Sequence, residues 1–343
     1  PLKATPLIVA TDKFRGTITA AGLSNHLVGA LSSAGIPSVA YPMSDGGEGF
    51  LECFSGERHF VELEGPMGRP IEVPYLLQEH GDGLIAIAES AHAIGRSLVQ
   101  SPSPSLALEL SSTPIGYLLL HLQQLDVQRI QLGIGGTATS DGGRGAATVL
   151  LRDGGLSVDL ELAVDVGLPY ARAVDFAVQK GVSATDLPKL ELDLEATRRW
   201  LQTTTGIDPG PLVGAGAGGG LGGALLSLGA SAVSGAAAAA RGLHLDEALP
   251  NARGLITGEG LLDHTSLSGK VVGWLLDHSG DELPVAVVCG ATTPEAHELL
   301  AGLGRPISLI DLSARYGLEE SLKHPELVAT DAVISLLKSG WFG

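Results

Sequence analysis

Five short apolar runs, two near the start of the chain and three near its end, set the strongest limit on how it can fold. Leu7-Ile8-Val9-Ala10 and Val39-Ala40-Tyr41-Pro42-Met43 open the series, and Gly254-Leu255-Ile256-Thr257, residues 285–289 and residues 306–310 close it. Each is continuous rather than alternating, the pattern of a strand covered on both faces and therefore of a parallel sheet. Each is followed by a helical stretch: 18–30 with Thr17 as its N-cap, a short helix after Gly49, 270–278, 294–303 and 326–338. Five strands, each followed by a helix, predict a flavodoxin-like doubly wound parallel sheet with a long α/β domain inserted after its second strand.

The inserted stretch has a different texture. Residues 60–77 and 84–88 alternate like antiparallel strands joined near Gly81-Asp82-Gly83. Residues 105–125 are helical, with Pro114 marking a break or a new start. Arg129-Ile130-Gln131-Leu132 and Leu162-Ala163-Val164-Asp165 read as strands, and 214–228 and 230–243 as Gly/Ala-rich helices. The expected division is 1–57 with 251–343 for the flavodoxin-like domain and 58–250 for the inserted α/β domain, its strands of mixed orientation.

Charge and composition exclude several classes of function. Asp and Glu outnumber Lys and Arg by 38 to 21, a formal charge of −17. A chain that coats nucleic acid needs a net basic face, so no nucleic-acid partner is expected. Cys53 and Cys289 are too few for a disulfide framework or a Cys-rich zinc site. No uncharged run of large apolar residues is long enough to span a bilayer, and no basic segment followed by an apolar core stands at the N-terminus, where Pro1-Leu2-Lys3 leads into the first strand. The expectation is a cytoplasmic protein with no membrane partner. Glycine is abundant, 48 residues against 4% aromatics, as in α/β enzymes whose loops approach ligands with bare backbone.

The loops at the strand ends carry the candidate chemistry. Ser44-Asp45-Gly46-Gly47-Glu48-Gly49 and Ser140-Asp141-Gly142-Gly143-Arg144-Gly145 share the pattern S-D-G-G-x-G, and two such loops facing one cleft is the useful reading. The segment 133–145 holds Gly135, Gly136, Gly142 and Gly143 with the hydroxyls of Thr137, Thr139 and Ser140. Placed after a strand and before a helix, such a loop can cradle phosphate; a tight turn without a ligand is the plain alternative. It is not a P-loop, and no G-x-G-x-x-G follows the first strand. Asp12, Asp45, Asp141, Asp165, Glu259 and Asp263 lie where strands end, as Mg²⁺ ligands and hydroxyl-orienting carboxylates do, though each could be only a helix cap. Lys13, Arg15, Lys180 and Lys270 are the cations near these loops. The histidines, His92 and His264 included, form no metal pattern, and no G-x-S-x-G elbow supports Ser-His-Asp catalysis.

Six segments in order resemble the bacterial glycerate kinase family: Thr11-Asp12-Lys13-Phe14-Arg15-Gly16-Thr17, Met43 to Gly49, Gly133 to Gly143, Gln179-Lys180-Gly181, Gly214 to Gly222, and Ile256 to Asp263 with Ser266-Leu267-Ser268-Gly269-Lys270. The resemblance implies ATP-dependent phosphorylation of a hydroxyl of glycerate with Mg²⁺, the 2-position favoured, on a two-domain fold. On that reading Asp165, Asp45, Lys13 and Lys270 serve catalysis, with Asp165 orienting the attacking hydroxyl. Gly135, Gly136, Thr137, Thr139, Gly142 and Gly143 hold the nucleotide, and Asp12, Arg15, Gly46 and Gly47 the substrate. Asp141 and Glu259 hold the metal, with Asp45 as an alternative ligand. The partners are ATP and glycerate, and a homodimer is the one protein assembly this expectation admits. The sequence departs from the family pattern at Gly167-Leu168-Pro169-Tyr170, Ala177-Val178, Leu261, Lys13 and Arg15. A kinase of a related small hydroxy acid and a catalytically impaired nucleotide- or metabolite-binding paralogue therefore stand as alternatives.

Overall fold

The computed structural model describes residues 5–81, 83–99, 102–165 and 167–342; Pro1-Leu2-Lys3 and Asp82 lie outside the described residues. Its strands, in chain order, are β1 (Leu7–Thr11), β2 (Ser38–Ala40), β3 (Glu57–Glu64), β4 (Pro70–His80), β5 (Gly83–Glu89), β6 (Arg129–Gly133), β7 (Asp159–Val164), β8 (Ser231–Ser234), β9 (Gly254–Leu262), β10 (Val285–Thr292) and β11 (Ile307–Asp311). The chain divides into two compact units, Pro1–Asp45 with Ala236–Gly343, and Gly46–Gly235.

The first unit is a five-stranded parallel sheet of order β11-β10-β9-β1-β2, the doubly wound order the apolar runs predict. Leu7, Val9, Ile256, Ala286 and Val288 share a core with Leu23, Leu27 and Leu31 of the helix Ala20–Ser33 and Val328, Ala332 and Val333 of the helix Pro325–Lys338. The spacing of Leu23, Leu27 and Leu31 puts all three on one helical face, and each such buried leucine stabilises the unit by about 1.5–3 kcal/mol. The first helix is capped two residues later than expected. Phe14 and Ile18 bond each other's backbone, the Thr17 hydroxyl donates to Phe14 O, and Thr19 caps instead by accepting from Gly22 N at 3.0 Å. β2 ends at Ala40, but the chain beyond it goes on bonding β1: Tyr41 N donates to Val9 O at 2.8 Å and Met43 N to Thr11 O at 2.9 Å. β9 and β10 run further than expected, to Leu262 and Thr292, and this carries Glu259 inside a strand.

The second unit is a six-stranded mixed sheet of order β3-β4-β5-β6-β7-β8. β3, β4 and β5 pair antiparallel and β5 to β8 parallel, so the expected mixed orientation holds. Pro114 does begin a new helix, Thr113–Gln123, after Pro104–Glu109. Two expectations fail. Residues 230–243 are not one helix: Ser231–Ser234 form β8 beside β7, and the helix starts at Gly235. Residues 214–220 are turns, with φ positive at Gly214, Gly218, Gly219 and Gly220, before the helix Leu221–Ser227. The helix Leu187–Thr205, which buries Leu190, Leu194 and Leu201, adds an element not expected from the sequence.

Residues 46–57 group with the second unit for a visible reason. The backbone N–H groups of Phe50 and Leu51 donate to the buried carboxylate of Glu89 at the end of β5, at 2.9 and 3.3 Å. Among the described residues no helix is long and apolar enough to cross a membrane.

Candidate active site

In the first unit the carboxyl ends of β1 and β9 gather an acidic cluster around one lysine. Lys13 Nζ donates to Asp45 Oδ1 at 3.3 Å and lies 3.6 Å from Asp12 Oδ1. Burial pushes the Asp12 carboxyl up to about 6 against the pull of Lys13, with Asp45 adding to the rise. Burial works against the Lys13 ammonium, but Asp45 and Asp12 outweigh it and hold its pKa above the usual value. Glu259 points its charge into the same field. Burial, then Asp12, push it up to about 8, while the Ser266 hydroxyl and the Lys270 ammonium pull it back. Its Oε1 is buried without a hydrogen-bond partner among the described residues. Lys270 is the N-cap residue of the helix Val271–His278 and donates to Thr265 Oγ1 at 2.9 Å. Asp263 Oδ1 accepts from Thr265 N, Thr265 Oγ1 and Ser266 N; burial raises its pKa, but these bonds win and hold it below the usual range. Arg15 is exposed one residue past Phe14.

Backbone packing brings these strand ends close. A Cβ on Gly258 would stand 1.7 Å from Val288 O, and one on Gly290 2.5 Å from Gly260 O. Only bare backbone fits on either side of Glu259 where β9 pairs with β10.

In the second unit Gly46 and Gly47 pack against the glycine-rich loop after β6 and the end of β7. A Cβ on Gly135 would fall 2.5 Å from Gly47 Cα, and one on Gly46, at φ +95°, 2.5 Å from Ala163 O. Gly142 and Gly143 are equally confined, their Cβ positions 2.4 Å from the Tyr170 hydroxyl and from Ala224 Cβ. Tyr170, one of the departures from the family pattern, is buried and donates to Gly142 O at 3.2 Å. These glycines are therefore required by the protein's own packing, whatever else they touch.

Asp141 is fully employed as a local organiser. Its carboxylate accepts from Ser112 N and Ser112 Oγ at 2.8 Å each, Gly145 N at 3.0 Å, Gly143 N at 3.1 Å and Ser111 Oγ at 3.4 Å. It ties the turn before the helix Thr113–Gln123 to the start of the helix Arg144–Arg152, where negative charge also suits the helix dipole. Asp165, just past β7, accepts from Gly167 N at 3.1 Å.

Lys180, one of the cations expected near these loops, joins this unit's glycine-rich loop. Its ammonium donates to Thr139 O at 2.6 Å and to Thr137 Oγ1 at 3.2 Å. Burial lowers its pKa to about 8, against a raising influence from Asp141. The hydroxyls of Thr139 and Ser140 are buried without a partner among the described residues. Glu89 is a residue the sequence reading missed. It is wholly buried, pushed up to about 7 by burial, and holds residues 50–51 in place. A lone Glu closing an apolar strand carries no local signal that its charge turns inward.

The expected residues thus fall into two groups. Asp12, Lys13, Asp45, Glu259 and Lys270 come together in the first unit; Gly46, Gly47, Gly135, Thr137, Thr139, Asp141, Gly142 and Gly143 line connected turns of the second, with Gly136 between them at φ +65°. Among the described residues no three His, Cys, Asp or Glu side chains stand close enough to hold a metal unaided. Mg²⁺ commonly takes one or two carboxylates and completes its shell with phosphate oxygens and water, and the unpartnered Glu259 oxygen fits that demand.

Comparison with known proteins adds an independent line. The sequence pattern of the glycerate kinase family matches residues 7–153 and 151–338. A glycerate kinase of Halalkalibacterium halodurans is 31% identical over 77% of this chain and 79% of its own length. Glycerate 2-kinase of Escherichia coli is 28% identical over the same shares. An uncharacterized protein of Mycobacterium bovis is 30% identical over 99% of this chain and 93% of its own. The crystal structure of a protein taken to be glycerate kinase 2 of Salmonella typhimurium LT2 superposes with a TM-score of 0.71 at 26% identity, covering 98% of this chain and 99% of that one.

Proposed function

The chain belongs to the glycerate kinase family, and from that membership we propose that it transfers the γ-phosphoryl group of ATP to a hydroxyl of glycerate, giving phosphoglycerate, with the 2-hydroxyl as acceptor. The observation that carries this reading in the fold is the Asp12–Lys13–Asp45–Glu259–Lys270 cluster at the strand ends of the first unit. Two buried carboxyls with raised pKa values and two lysines in one field suit a reaction whose main demand is the placement and neutralisation of phosphate charge.

The roles follow from how each group is already engaged. Glu259, with an oxygen to spare, and Asp45 would hold Mg²⁺, which when bound neutralises charge on the transferring phosphate. Asp141 gives its carboxylate to five hydrogen bonds, so its part is to shape the glycine-rich turn rather than to bind the metal. Lys13 is committed to Asp12 and Asp45, which leaves the exposed Arg15 as the better partner for a substrate carboxylate. The turns built on Gly135, Gly136, Thr137, Thr139, Gly142 and Gly143 would hold the nucleotide phosphates. Asp165 would orient the attacking hydroxyl, with Gly46 and Gly47 beside the substrate. No covalent enzyme intermediate is needed. The setting we propose is cytoplasmic, where both small substrates are soluble.

A coupled assay of ADP release with Mg²⁺ and a panel of glycerate, glycolate, lactate and tartronate tests the reading. Glycerate-dependent release well above the other acids supports it. A preference for another acid transfers the activity to a related hydroxy acid, and no acid-dependent release removes the kinase function.

A further inference from the structure

Lys180 is a buried cation that touches no carboxylate among the described residues. It ends the short turn Val178–Lys180 and is 8% exposed. Among the described residues no carboxylate forms an ion pair with its ammonium; Asp141 acts on it only at longer range. An ammonium carries three N–H donors, and the two bonds to Thr139 O and Thr137 Oγ1 use two of them. Around it lie two further groups in the same condition. Thr139 is 0% and Ser140 4% exposed, and neither hydroxyl meets a partner.

Gly219 shows how closely the ammonium lies to the backbone of residues 139 and 140. A Cβ built on it would stand 2.3 Å from Thr139 O, 2.9 Å from Lys180 Nζ and 2.9 Å from Ser140 Cα, and its φ of +72° also disfavours a side chain. Any larger residue would displace the ammonium or the backbone of residues 139–140. Buried donors without acceptors and buried cations without anions both destabilise a fold. A single oxyanion answers all three demands at once, accepting from the ammonium and from both hydroxyls.

We propose that Lys180, Thr139 and Ser140 form an oxyanion-binding site inside the second unit, beside the bare backbone of Gly219. Its ligand is a phosphate or carboxylate group. The site stands on its own geometry; only the identity of the molecule bearing that group, ATP through a phosphate or glycerate through its carboxylate, rests on the kinase reading. The rival explanation is that Lys180 only ties residues 137–139 together, in which case the hydroxyls of Thr139 and Ser140 are idle.

Calorimetric titration of the full chain with MgATP, glycerate and inorganic phosphate decides between them, using Lys180→Met, Thr139→Val and Ser140→Ala. Lys180→Met should weaken one of the two substrates at least about tenfold, and Thr139→Val or Ser140→Ala the same substrate by about three- to tenfold, with the other substrate within about twofold. The substrate affected identifies the source of the oxyanion. Thr139→Val and Ser140→Ala should melt with the wild type, because the hydroxyls they remove bond nothing; they keep the test valid if Lys180→Met fails to fold. Unchanged affinities in both hydroxyl variants would overturn the site, as would a wild type that binds none of the three probes. Robust glycerate-dependent turnover with unchanged KM values in every variant would sink the site and leave the kinase reading standing. Lys180-dependent phosphate binding without turnover would do the reverse.

Discussion

Replacing Lys180 by Met should change how the stability of the second unit depends on pH, and the size of the change follows from burial. The Lys180 pKa is moved from 10.5 to about 8 by desolvation, with Asp141 partly opposing. Each pH unit of such movement corresponds to about 1.4 kcal/mol, so the folded state carries about 3 kcal/mol of penalty for keeping this lysine charged. The direction is fixed by linkage. Below pH 8 both states hold the proton and the full penalty is present. Between pH 8 and 10.5 the unfolded chain holds a proton that the folded chain has released, so stability is gained as pH rises. Methionine cannot titrate. The difference in unfolding free energy between wild type and Lys180→Met should therefore move by about 3 kcal/mol in favour of the wild type between pH 7 and pH 10.5. Urea unfolding followed by ¹⁹F resonance of fluorotryptophan at Trp200, the tryptophan of the second unit, isolates the relevant transition. Titrations of other groups cancel in the difference. A difference that stays constant across that range would show that Lys180 is not held in a desolvated site, and the reasoning would fail.

Other substitutions test separate parts of the account. Asp141→Ala removes the acceptor of five hydrogen bonds and should lower stability by about 3 kcal/mol, read as a fall in melting temperature; a melt within a degree of wild type would deny Asp141 its organising role. Gly135→Ala forces a methyl to within 2.5 Å of Gly47 Cα and should cost about 1–3 kcal/mol, whereas Gly29→Ala, in open space on the helix Ala20–Ser33, should stabilise by about 0.5–1 kcal/mol. Paired thermal melts check both signs. Glu259→Gln should reduce turnover at least about a hundredfold and raise the Mg²⁺ concentration needed, while the melting temperature at pH 8 and above holds or rises, because a carboxyl shifted to about 8 by burial no longer has to ionise. Full activity in that variant would remove Glu259 from the site.

What the sequence made legible was set by how local the determining forces are. The parallel sheet of the first unit announces itself because strands buried on both faces must be continuously apolar, as residues 7–10 and 285–289 are. β8 was hidden because Ser231-Ala232-Val233-Ser234 sits against an alanine run with high helix propensity, and pairing with β7 overrides it. The S-D-G-G loops were visible as loops, but their glycines turn out to be demanded by contacts of backbone with backbone, such as Gly135 with Gly47, which no spacing reveals. Asp12, Lys13 and Asp45 were found by their position at strand ends, and the structure adds their ion pairs. Asp141 shares the same motif yet works as a cap, because the turn at Ser111–Ser112 arrives from elsewhere in the chain to use its oxygens. Lys180 was legible as a cation beside the loops but not as a buried one, since burial of its ammonium depends on residues 137–139 and 219.

The most direct test of the account is the product. Purified protein incubated with MgATP and glycerate should yield a new ³¹P resonance coupled to the proton on carbon 2, growing in step with ADP. A spectrum in which ADP and inorganic phosphate appear without any phosphorylated glycerate, or in which ATP persists unchanged, would contradict it.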